Sequence, residues 1–355
     1  MSNLNKLLEY LKRSIVLEFL DNLEIPAYIV SKDRIIIFWN KAAEYLTGYS
    51  QSEVLGKPCA RQVLNHIDRT GIPVCSTELC PLYQSIKSGQ PVQVPFAVYG
   101  LTKSGTRRPF SVSGIPIKVD GEVLGAIEIF NDAEKMDSDM AIAIKIQQAF
   151  VPENTDRLEF FYRPSAGLGG DMIYYNPPWL GVIDVSGHGI AAALVSMLLR
   201  TIFDIVLSFD PPISGVPLLV ENEMKKYQFE GLYFTSIFGR LEKDTFEFLD
   251  IAHPSPVNIS RKEILETTNI PPVGFGLSQD YDFSVINKHY LSDGSLLLYT
   301  DGITEMKTKK GMLNPEGLLS VIDSRDDLSL IYLKILKERT SPLQEDDITM
   351  VLLKN

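Results

Sequence analysis

The sequence predicts an α+β fold in two domains that are joined by a helix. Short strand patterns separated by turns fill residues 24–132, and a helical pattern follows at 133–150. Strands in runs, with helices in pairs, occupy the remainder. A chain of 355 residues has room for two domains of about 100–200 residues each. We therefore divide it into segments at 1–22, 23–132, 133–150 and 151–355.

The composition is that of a globular protein with an acidic surface. Hydrophobic residues make up 45% of the chain and charged residues 22%, and the net charge is −11. Such a surface repels nucleic-acid phosphates and anionic lipids, so we expect neither nucleic acid nor membrane as a partner. No apolar run approaches the roughly 20 residues that cross a bilayer, and the N-terminus lacks a secretory cleavage site. Three cysteines predict no disulfide framework, and we expect a cytoplasmic protein.

The first segment has the periodicity of an amphipathic helix over residues 4–22. Its apolar residues recur at steps of three and four: Leu7, Leu8, Leu11, Ile15, Val16, Phe19 and Leu20. This stripe fits either a dimer seam or packing on the following domain.

Residues 24–132 predict a small antiparallel sheet with helices on one face. IPAYIV and IIIFWN, separated by a Ser-Lys-Asp-Arg turn, indicate a hairpin. Three later strand candidates, the last two on either side of Asp120-Gly121, complete the sheet. The runs IVSKDRIIIFWNKAAEYLTGYSQSEVLGKPC (29–59) and PIKVDGEVLGAIEIFND (116–132) resemble a PAS sensor domain. The resemblance implies a sensory role and leaves the ligand open.

All three cysteines lie close together in this first domain. Cys59, His66, Cys75 and Cys80 follow the pattern C-x6-H-x8-C-x4-C. Three thiolates and one imidazole suit tetrahedral Zn²⁺ or an iron–sulfur cluster, so a metal or redox site is one interpretation. The spacing matches no common zinc finger, and small buried side chains in a loop-rich segment are the alternative.

Residues 133–150 form the helical linker between the domains. The helix becomes apolar toward Phe150, and Val151-Pro152 ends it.

In the last segment, acidic residues mark the ends or the starts of apolar strands. Asp184 ends GVIDV, Asp301 follows SLLLYT, Asp346 opens DDITMVLL, and Asp171 precedes MIYY. A buried carboxylate is unfavourable unless a cation accompanies it, and basic residues near these positions are scarce. Hard oxygen ligands suit Mg²⁺ or Mn²⁺, so the pattern predicts a metal site. For any single aspartate, a helix or turn cap is the alternative.

Residues 141–355 resemble the SpoIIE/RsbU branch of the metal-dependent serine/threonine protein phosphatases, the PPM family. The matching motifs occur in the family's order: IQQAFVP, GGD, DVSGHGIAAAL, YFTSIFGRLE, AHPSPV, PPVGFGL, LLLYTDGITE and DDITMVLL. The resemblance implies a β-sandwich flanked by helices, two Mn²⁺ or Mg²⁺ ions, and hydrolysis of phosphoserine or phosphothreonine. It also implies a homodimer whose substrate is a phosphorylated anti-sigma-factor antagonist, in bacterial stress or developmental signalling. The linker and the helices at 188–209 and 217–228 would form its switch.

The motifs also imply residue roles. Asp184 would bridge the two ions, and the carbonyl of Val185 would complete one shell. Asp301 and Asp346 would bind one ion, and Asp171 would bind directly or through water. Asp184, Asp301 and Asp346 are therefore the candidate catalytic residues.

Three functions remain open at this point. The first is the PAS-regulated phosphatase. The second is an inactive phosphatase fold that acts as a PAS-controlled binding module, which only Tyr174 supports, since the family often has a second acid there (GGDxxD). The third is nucleotide-cofactor binding, because residues 187–192 fit GxGxxA between a strand and a helix.

Several basic residues are secondary candidates. His188, in the first turn of a helix, is either a general acid or an ordinary polar residue. Arg163 and Arg200 are candidates for contacting substrate phosphate. His253 and His289 are expected to be structural or exposed.

Overall fold

The computed structural model describes residues 7, 16–75, 77–94, 96–165, 167–187, 189–227, 231–274, 276, 278–340 and 344–354. The chain divides into two units, Met1–Ala141 and Ile142–Asn355. Each unit combines mainly antiparallel sheets with helices, which confirms the predicted α+β class. Most of the helix predicted at 4–22 lies outside the described residues.

The elements of the N-terminal unit are, in chain order, α1 (Val16–Asp21), β1 (Ala27–Ser31), β2 (Ile36–Trp39), α2 (Lys41–Thr47), α3 (Gln51–Val54), α4 (Cys59–Gln62), α5 (Pro81–Ser88), β3 (Val92–Gln93), β4 (Val98–Leu101), β5 (Arg107–Val119) and β6 (Glu122–Asp132). Their sheet has the order β2-β1-β6-β5-β3, with β4 paired to β5.

The N-terminal sheet follows the predicted hairpins. Tyr28 of β1 lies opposite Trp39 of β2. The turn between β5 and β6 places Asp120 and Gly121 at φ +52° and +81°, the left-handed conformation of a tight hairpin turn. The core packs the aromatic rings of Tyr28 and Trp39, with centroids 5.0 Å apart, together with helix residues.

The predicted linker is helix α6 (Glu134–Gln148), and the boundary between the units falls within it. Its first half belongs to the N-terminal unit. There the Tyr99 hydroxyl donates to Asp137 Oδ1 at 2.6 Å. Arg69 forms an ion pair with the same carboxylate and donates to the Asp137 carbonyl at 2.9 Å. Glu134, the first residue of α6, also pairs with Arg108 at 3.2 Å. Both acids therefore anchor the first half of the linker to the N-terminal unit.

The elements of the C-terminal unit are, in chain order, β7 (Leu158–Arg163), β8 (Met172–Asn176), β9 (Trp179–Val185), α7 (Gly189–Leu207), α8 (Val216–Lys225), β10 (Phe234–Glu242), β11 (Thr245–Ile251), β12 (Val257–Asn258), β13 (Glu263–Ile264), β14 (Asn269–Ile270), β15 (Asn287–Tyr290), β16 (Leu296–Tyr299), α9 (Asp301–Thr304), β17 (Lys307–Thr308), β18 (Gly311–Met312), α10 (Asn314–Val321), α11 (Leu328–Glu338) and β19 (Ile348–Leu353).

These elements form a four-layer sandwich. One sheet has the order β14-β11-β10-β9-β8, with β15 paired to β11, and the other has the order β13-β12-β16-β19-β7. Apolar side chains of both sheets meet in a shared core. Helices α7 and α8 cover the outer face of the first sheet, and α9 to α11 cover the outer face of the second. The predicted sandwich flanked by helices is confirmed.

Helix α7 corrects one expectation. It has 19 residues with a mean hydropathy of 2.1, so it is long and apolar enough to cross a membrane by length and composition. The sequence prediction that no apolar run approaches this length was therefore wrong. Half of the helix is buried inside the protein, because residues such as Leu199 and Phe203 pack on the first sheet. A helix in the core of a folded domain can therefore have the length and composition of a membrane-spanning helix.

Candidate metal centre

The predicted aspartates come together at one end of the sandwich. Asp184 is the next-to-last residue of β9, and Asp171 directly precedes the neighbouring strand β8. Asp301 begins α9 directly after β16, and Asp346 lies two residues before the neighbouring strand β19. Each sheet therefore contributes two acids.

Asp171 links the two sheets. Its side chain is 4% exposed, and its Oδ2 accepts from Thr300 Oγ1 at 2.8 Å and Thr349 Oγ1 at 2.6 Å. Both threonines belong to the second sheet and follow or lie in its strands. Burial and the charges of Asp184 and Asp347 raise the pKa of Asp171 well above its ordinary range, although the two hydroxyls oppose the shift.

The other carboxylates repel one another in the same way. Burial, followed by the charges of Asp301 and Asp346, raises the pKa of Asp184 to about 7. Burial, followed by the charges of Asp346 and Glu305, raises the pKa of Asp301 to about 6. Negative charge is therefore concentrated at this end of the sandwich, and a divalent cation would reverse these shifts.

The donor set fits a hard divalent ion. Carboxylate oxygens and a backbone carbonyl are the ligands that Mg²⁺ and Mn²⁺ prefer. As the side chains stand, no group of three or more His, Cys, Asp or Glu residues in the described ranges is close enough to hold a metal ion. Coordination would therefore require the carboxylates to turn toward a common point.

Two glycines allow the loops of the centre to approach closely. A Cβ added to Gly170 would lie 2.8 Å from the Val185 carbonyl oxygen, so this carbonyl borders the loop that carries Asp171. A Cβ added to Gly302 would lie 1.9 Å from the Asp347 carbonyl oxygen. Any other residue at these positions would separate the loops.

Asp347 is a structural acid that the sequence analysis missed. Its Oδ1 accepts from the Ser165 backbone N–H at 2.7 Å and from Ser165 Oγ at 3.0 Å. Its Oδ2 accepts from the Gly170 N–H at 2.7 Å. The second acid of the Asp346-Asp347 pair therefore holds the loop before β8, and the doubled aspartate was the signal for it.

Gln147, at the end of the linker helix, is a second residue that was missed. Its Nε2 donates to the Gly169 carbonyl at 2.7 Å, and its Oε1 accepts from the Gly169 N–H at 3.2 Å. The side chain is 5% exposed. Gly169 lies two residues before Asp171, so the linker helix directly supports the metal loop.

Tyr174 lies on the opposite face of β8 from Asp171. Side chains alternate along a strand, and a spacing of three residues therefore reverses the face. Tyr174 is fully buried beside Phe203 of α7, and its hydroxyl donates to Asp204 Oδ1 at 2.8 Å. A residue at this position points toward α7, so Tyr174 replaces no ligand of the carboxylate cluster.

Neither candidate arginine is directed at the acids. The Arg163 guanidinium lies over the Tyr332 ring at 5.4 Å. Arg200 lies over the rings of Phe150 and Tyr174 at 5.1 and 5.5 Å and donates to a backbone carbonyl at 3.2 Å. Arg200 therefore joins the end of the linker to α7 and β8.

The histidines differ in their placement. His188 lies outside the described residues. His253 and His289 are both buried, at 4% and 5% exposure, which agrees with the structural role and excludes the exposed one. His253 Nδ1 lies 2.8 Å from Thr235 Oγ1, and Thr235 is the cross-strand partner of Asp184. Burial lowers the pKa of His253 to about 3, so this imidazole stays neutral.

The structure does not support Zn²⁺ or an iron–sulfur cluster in the N-terminal unit. Cys59 and Cys80 are buried, and Cys75 Sγ accepts from the His66 backbone N–H at 3.1 Å. Burial raises the pKa of all three thiols, that of Cys75 to about 12. The His66 ring packs edge-on against Phe110. Within the described residues, these side chains form no metal-holding group.

A buried acid near these thiols was also missed. Glu128 Oε1 accepts from the Tyr28 hydroxyl at 2.9 Å inside the sheet. Burial raises the pKa of Glu128 to about 8. The carboxyl is therefore largely protonated at neutral pH.

Comparison with known families agrees with this division of the chain. The model of the family Stage II sporulation protein E (SpoIIE) matches residues 178–355, and a PAS domain model matches residues 26–135. Asp184, Asp301 and Asp346 lie within the first match, and Asp171 lies ahead of it. The N-terminal unit is thus a PAS-type domain, as predicted.

Two curated relatives come from Bacillus subtilis (strain 168). The phosphoserine phosphatase RsbU is 22% identical over 241 residues, which are 62% of this chain and 71% of RsbU. The phosphoserine phosphatase RsbP is 25% identical over 190 residues, 47% of this chain and 45% of RsbP, so the chain spans about half of that relative. The solved SiaA-PP2C domain of Pseudomonas aeruginosa matches with a TM-score of 0.53 and 18% identity, over 62% of this chain and 98% of that domain. This likeness shows a PP2C-like fold.

Proposed function

This chain belongs to the SpoIIE family of phosphatases, and we propose that it is a PAS-regulated, metal-dependent enzyme that hydrolyses phosphoserine or phosphothreonine on a protein. One observation carries the proposal: acids from both sheets lie at one end of the sandwich, with Asp171 buried, Asp184 and Asp301 half-buried and Asp346 exposed. Asp171, Asp184 and Asp301 form no ion pair with any described residue, and burial followed by the charges of neighbouring carboxylates raises their pKa values.

We assign the ligands as follows. Asp184 would be the ligand shared by the ions, Asp301 and Asp346 would hold one ion, and Asp171 with the Val185 carbonyl would complete the set. Two Mn²⁺ or Mg²⁺ ions bound by these residues would supply an activated water and neutralise the phosphoryl oxygens.

The chain's own residues fix the positions of these ligands. Thr300 and Thr349 orient the Asp171 carboxylate. Asp347 and Gln147 hold the loop on which Asp171 lies, by hydrogen bonds to Gly170 and Gly169. These contacts orient Asp171 before any ion binds, which reduces the reorganisation that this one ligand requires.

The test is hydrolysis of p-nitrophenyl phosphate with Mn²⁺. Asp184→Asn should lower the rate by at least about a hundredfold, as expected for loss of a central electrostatic group. Asp280→Asn, at an exposed aspartate after Ser278, is the control and should change nothing. Hydrolysis that persists in Asp184→Asn would remove this residue from the mechanism.

The second candidate function is a catalytically inactive phosphatase fold that acts as a PAS-controlled binding module. Its support was Tyr174, which faces α7 and leaves the carboxylates intact. It predicts no hydrolysis with any divalent ion, on phosphoprotein as well as on aryl phosphate.

Regulation by the PAS unit follows from the two ends of α6. Asp137 is held by Tyr99 and Arg69, and Gln147 is held by Gly169. A change in the PAS unit that shifts α6 would therefore reach the loop of Asp171. The proposed substrate is a phosphorylated regulatory protein of the anti-sigma-factor-antagonist type. Dephosphorylation of such a protein by the full chain is the measurement that checks it.

A homodimer is also proposed. Ile142 and Ile146 of α6 are 56% and 55% exposed, and Ile190 and Leu194 of α7 are 53% and 67% exposed. Each pair is four residues apart and forms an apolar stripe on its helix. A second copy would cover these stripes, and light scattering of wild type and Ile146→Glu would measure the change. The cytoplasmic location stays a prediction.

A further inference from the structure

A basic hairpin projects beside the metal centre. Strands β17 and β18 form a two-stranded sheet separate from both main sheets, and Thr308 of β17 also forms a β-bridge with Arg339. The run MKTKKGMLN at 306–314 contains three lysines and no acid, in a chain whose net charge is −11. Positive charge is therefore concentrated on this hairpin.

The hairpin is attached firmly at its base and exposed at its tip. The Lys307 carbonyl accepts from the Thr340 N–H at 3.0 Å and from Thr340 Oγ1 at 3.1 Å. Lys309 and Lys310 are exposed, and neither side chain forms an ion pair within the described part of the chain. Lys307 pairs with Glu345 at 2.8 Å, but both side chains are exposed, so the pair is weak and exchangeable.

A pocket of about 280 Å³ lies between the hairpin and the metal centre. Its lining contains two basic residues, Lys307 and Arg339, three acids, Glu305, Glu345 and Asp346, and also Gly302, Met306, Met312 and Gln344. Met312 is 59% exposed, and flexible methionine side chains adapt to varied partners. The pocket therefore extends from Asp346, a predicted metal ligand, to Lys307 and Met312 at the base of the hairpin.

We propose that the β17–β18 hairpin and this pocket bind an acidic stretch of the phosphoprotein substrate next to its phosphoserine. The inference rests on the proposed function and names the substrate's chemistry. Asp346 in the pocket wall places a chain bound there beside the phosphoryl group. Lys309 and Lys310 offer unpaired charge to carboxylates, and Met306 and Met312 offer apolar contact to the same chain.

Kinetics of a double variant test the proposal. The substrates are p-nitrophenyl phosphate and two short phosphoserine peptides, one flanked by glutamates and the other by glutamines. Lys309→Glu/Lys310→Glu should raise KM for the glutamate peptide about tenfold, because two favourable charge contacts become repulsive. The aryl phosphate KM should stay within about twofold of the wild-type value, since that substrate does not reach the hairpin.

The control is Lys243→Glu/Lys288→Glu, which changes the net charge equally. Both lysines lie toward the end of β10 and β11 that is opposite Asp184, so this variant should keep the wild-type KM for both peptides. Equal effects of the two double variants would overturn the proposal and indicate long-range electrostatics. So would an unchanged KM for the glutamate peptide.

Failure of the proposed function gives a different result. If wild type hydrolyses none of these substrates, the phosphatase assignment fails, and fluorescence anisotropy of the labelled glutamate peptide still tests docking. Binding that is weakened by the hairpin variant supports docking, and binding that is unchanged refutes it. If the full chain binds phosphatidylglycerol vesicles through the hairpin more tightly than it binds the peptide, the partner of the hairpin is a membrane and the proposed protein docking is refuted.

Discussion

Gln147 offers the sharpest test of how the linker helix supports the metal centre. Its amide pairs with both backbone groups of Gly169, in the loop that leads to Asp171. Gln147→Leu keeps a similar side-chain volume and removes both hydrogen bonds. The neighbouring Gln148 is exposed, and its side chain forms no hydrogen bond with the described residues. Gln148→Leu is therefore the matched control.

The magnitude follows from burial. Gly169 is buried, so its N–H and C=O would lose their partners without gaining water. Each buried unsatisfied group costs about 1–3 kcal/mol, and the pair about 2–6 kcal/mol. The loop can avoid this penalty only by leaving the position that presents Asp171. We therefore expect the penalty to appear as weaker metal binding, since about 1.4 kcal/mol corresponds to a tenfold change.

The assay is a Mn²⁺ titration of p-nitrophenyl phosphate hydrolysis, with thermal unfolding followed by circular dichroism. Gln147→Leu should raise the Mn²⁺ concentration for half-maximal activity at least about tenfold. Saturating Mn²⁺ should restore much of the rate, because the ligands themselves remain. Gln148→Leu should titrate like the wild type.

Two results would refute this reasoning. Identical Mn²⁺ titrations of Gln147→Leu and wild type would show that the Gly169 contacts do not position Asp171. Equal impairment by both glutamine variants would show that the helix surface, rather than this amide, is what matters.

Three further predictions concern buried groups. Tyr174→Phe should retain Mn²⁺-dependent activity and lose about 1 kcal/mol of unfolding free energy, because the hydrogen bond to Asp204 is lost. Tyr174→Asp should lower the stability of the chain without tightening Mn²⁺ binding. Tighter Mn²⁺ binding by Tyr174→Asp would instead place this position among the metal ligands. Because the pKa of Asp184 is raised to about 7, the metal-free protein should lose stability as pH rises from about 4 to about 7. The increase in Tm on adding Mn²⁺ should therefore be larger at about pH 8 than at about pH 5. An equal increase in Tm at both pH values would contradict the raised pKa. The raised pKa of Glu128, about 8, means that its contribution to stability is lost as pH rises toward that value. In denaturant unfolding, Glu128→Gln should therefore be more stable relative to wild type above about pH 8 than at lower pH. Parallel pH profiles of the two proteins would contradict this prediction.

The positions of the proposed ligand aspartates beside strand ends were predictable because their signal is local. Asp184, Asp301 and Asp346 each border an apolar strand, and an acid beside a buried strand is conspicuous in sequence. Asp171 was identified by the same logic. The supporting contacts lack such a signal: Asp171 meets Thr300 and Thr349 across separations of 129 and 178 residues. Their roles exist only once the two sheets are stacked.

The interpretations of Tyr174 and of the cysteine cluster rested on different signals. Strand alternation predicts that Tyr174 and Asp171 lie on opposite faces, because a spacing of three residues reverses the face. A comparison of motifs alone does not show this difference. The cysteine cluster was judged from proximity in sequence. Cys59, Cys75 and Cys80 do share one interior, but their protonation and the hydrogen bond to Cys75 depend on burial that spacing does not reveal.

The distribution of the acids over two sheets has a thermodynamic consequence. If Asp171 and Asp184 of one sheet and Asp301 and Asp346 of the other hold the proposed ions, those ions would be bound across the interface between the sheets. Metal occupancy and the spacing of the sheets would then be linked, and linkage is reciprocal. Any event that separated the sheets would weaken ion binding, and the ions would resist the separation by the same free energy. Free Mn²⁺ would thereby set how strongly a signal must act on the C-terminal unit before its activity changes.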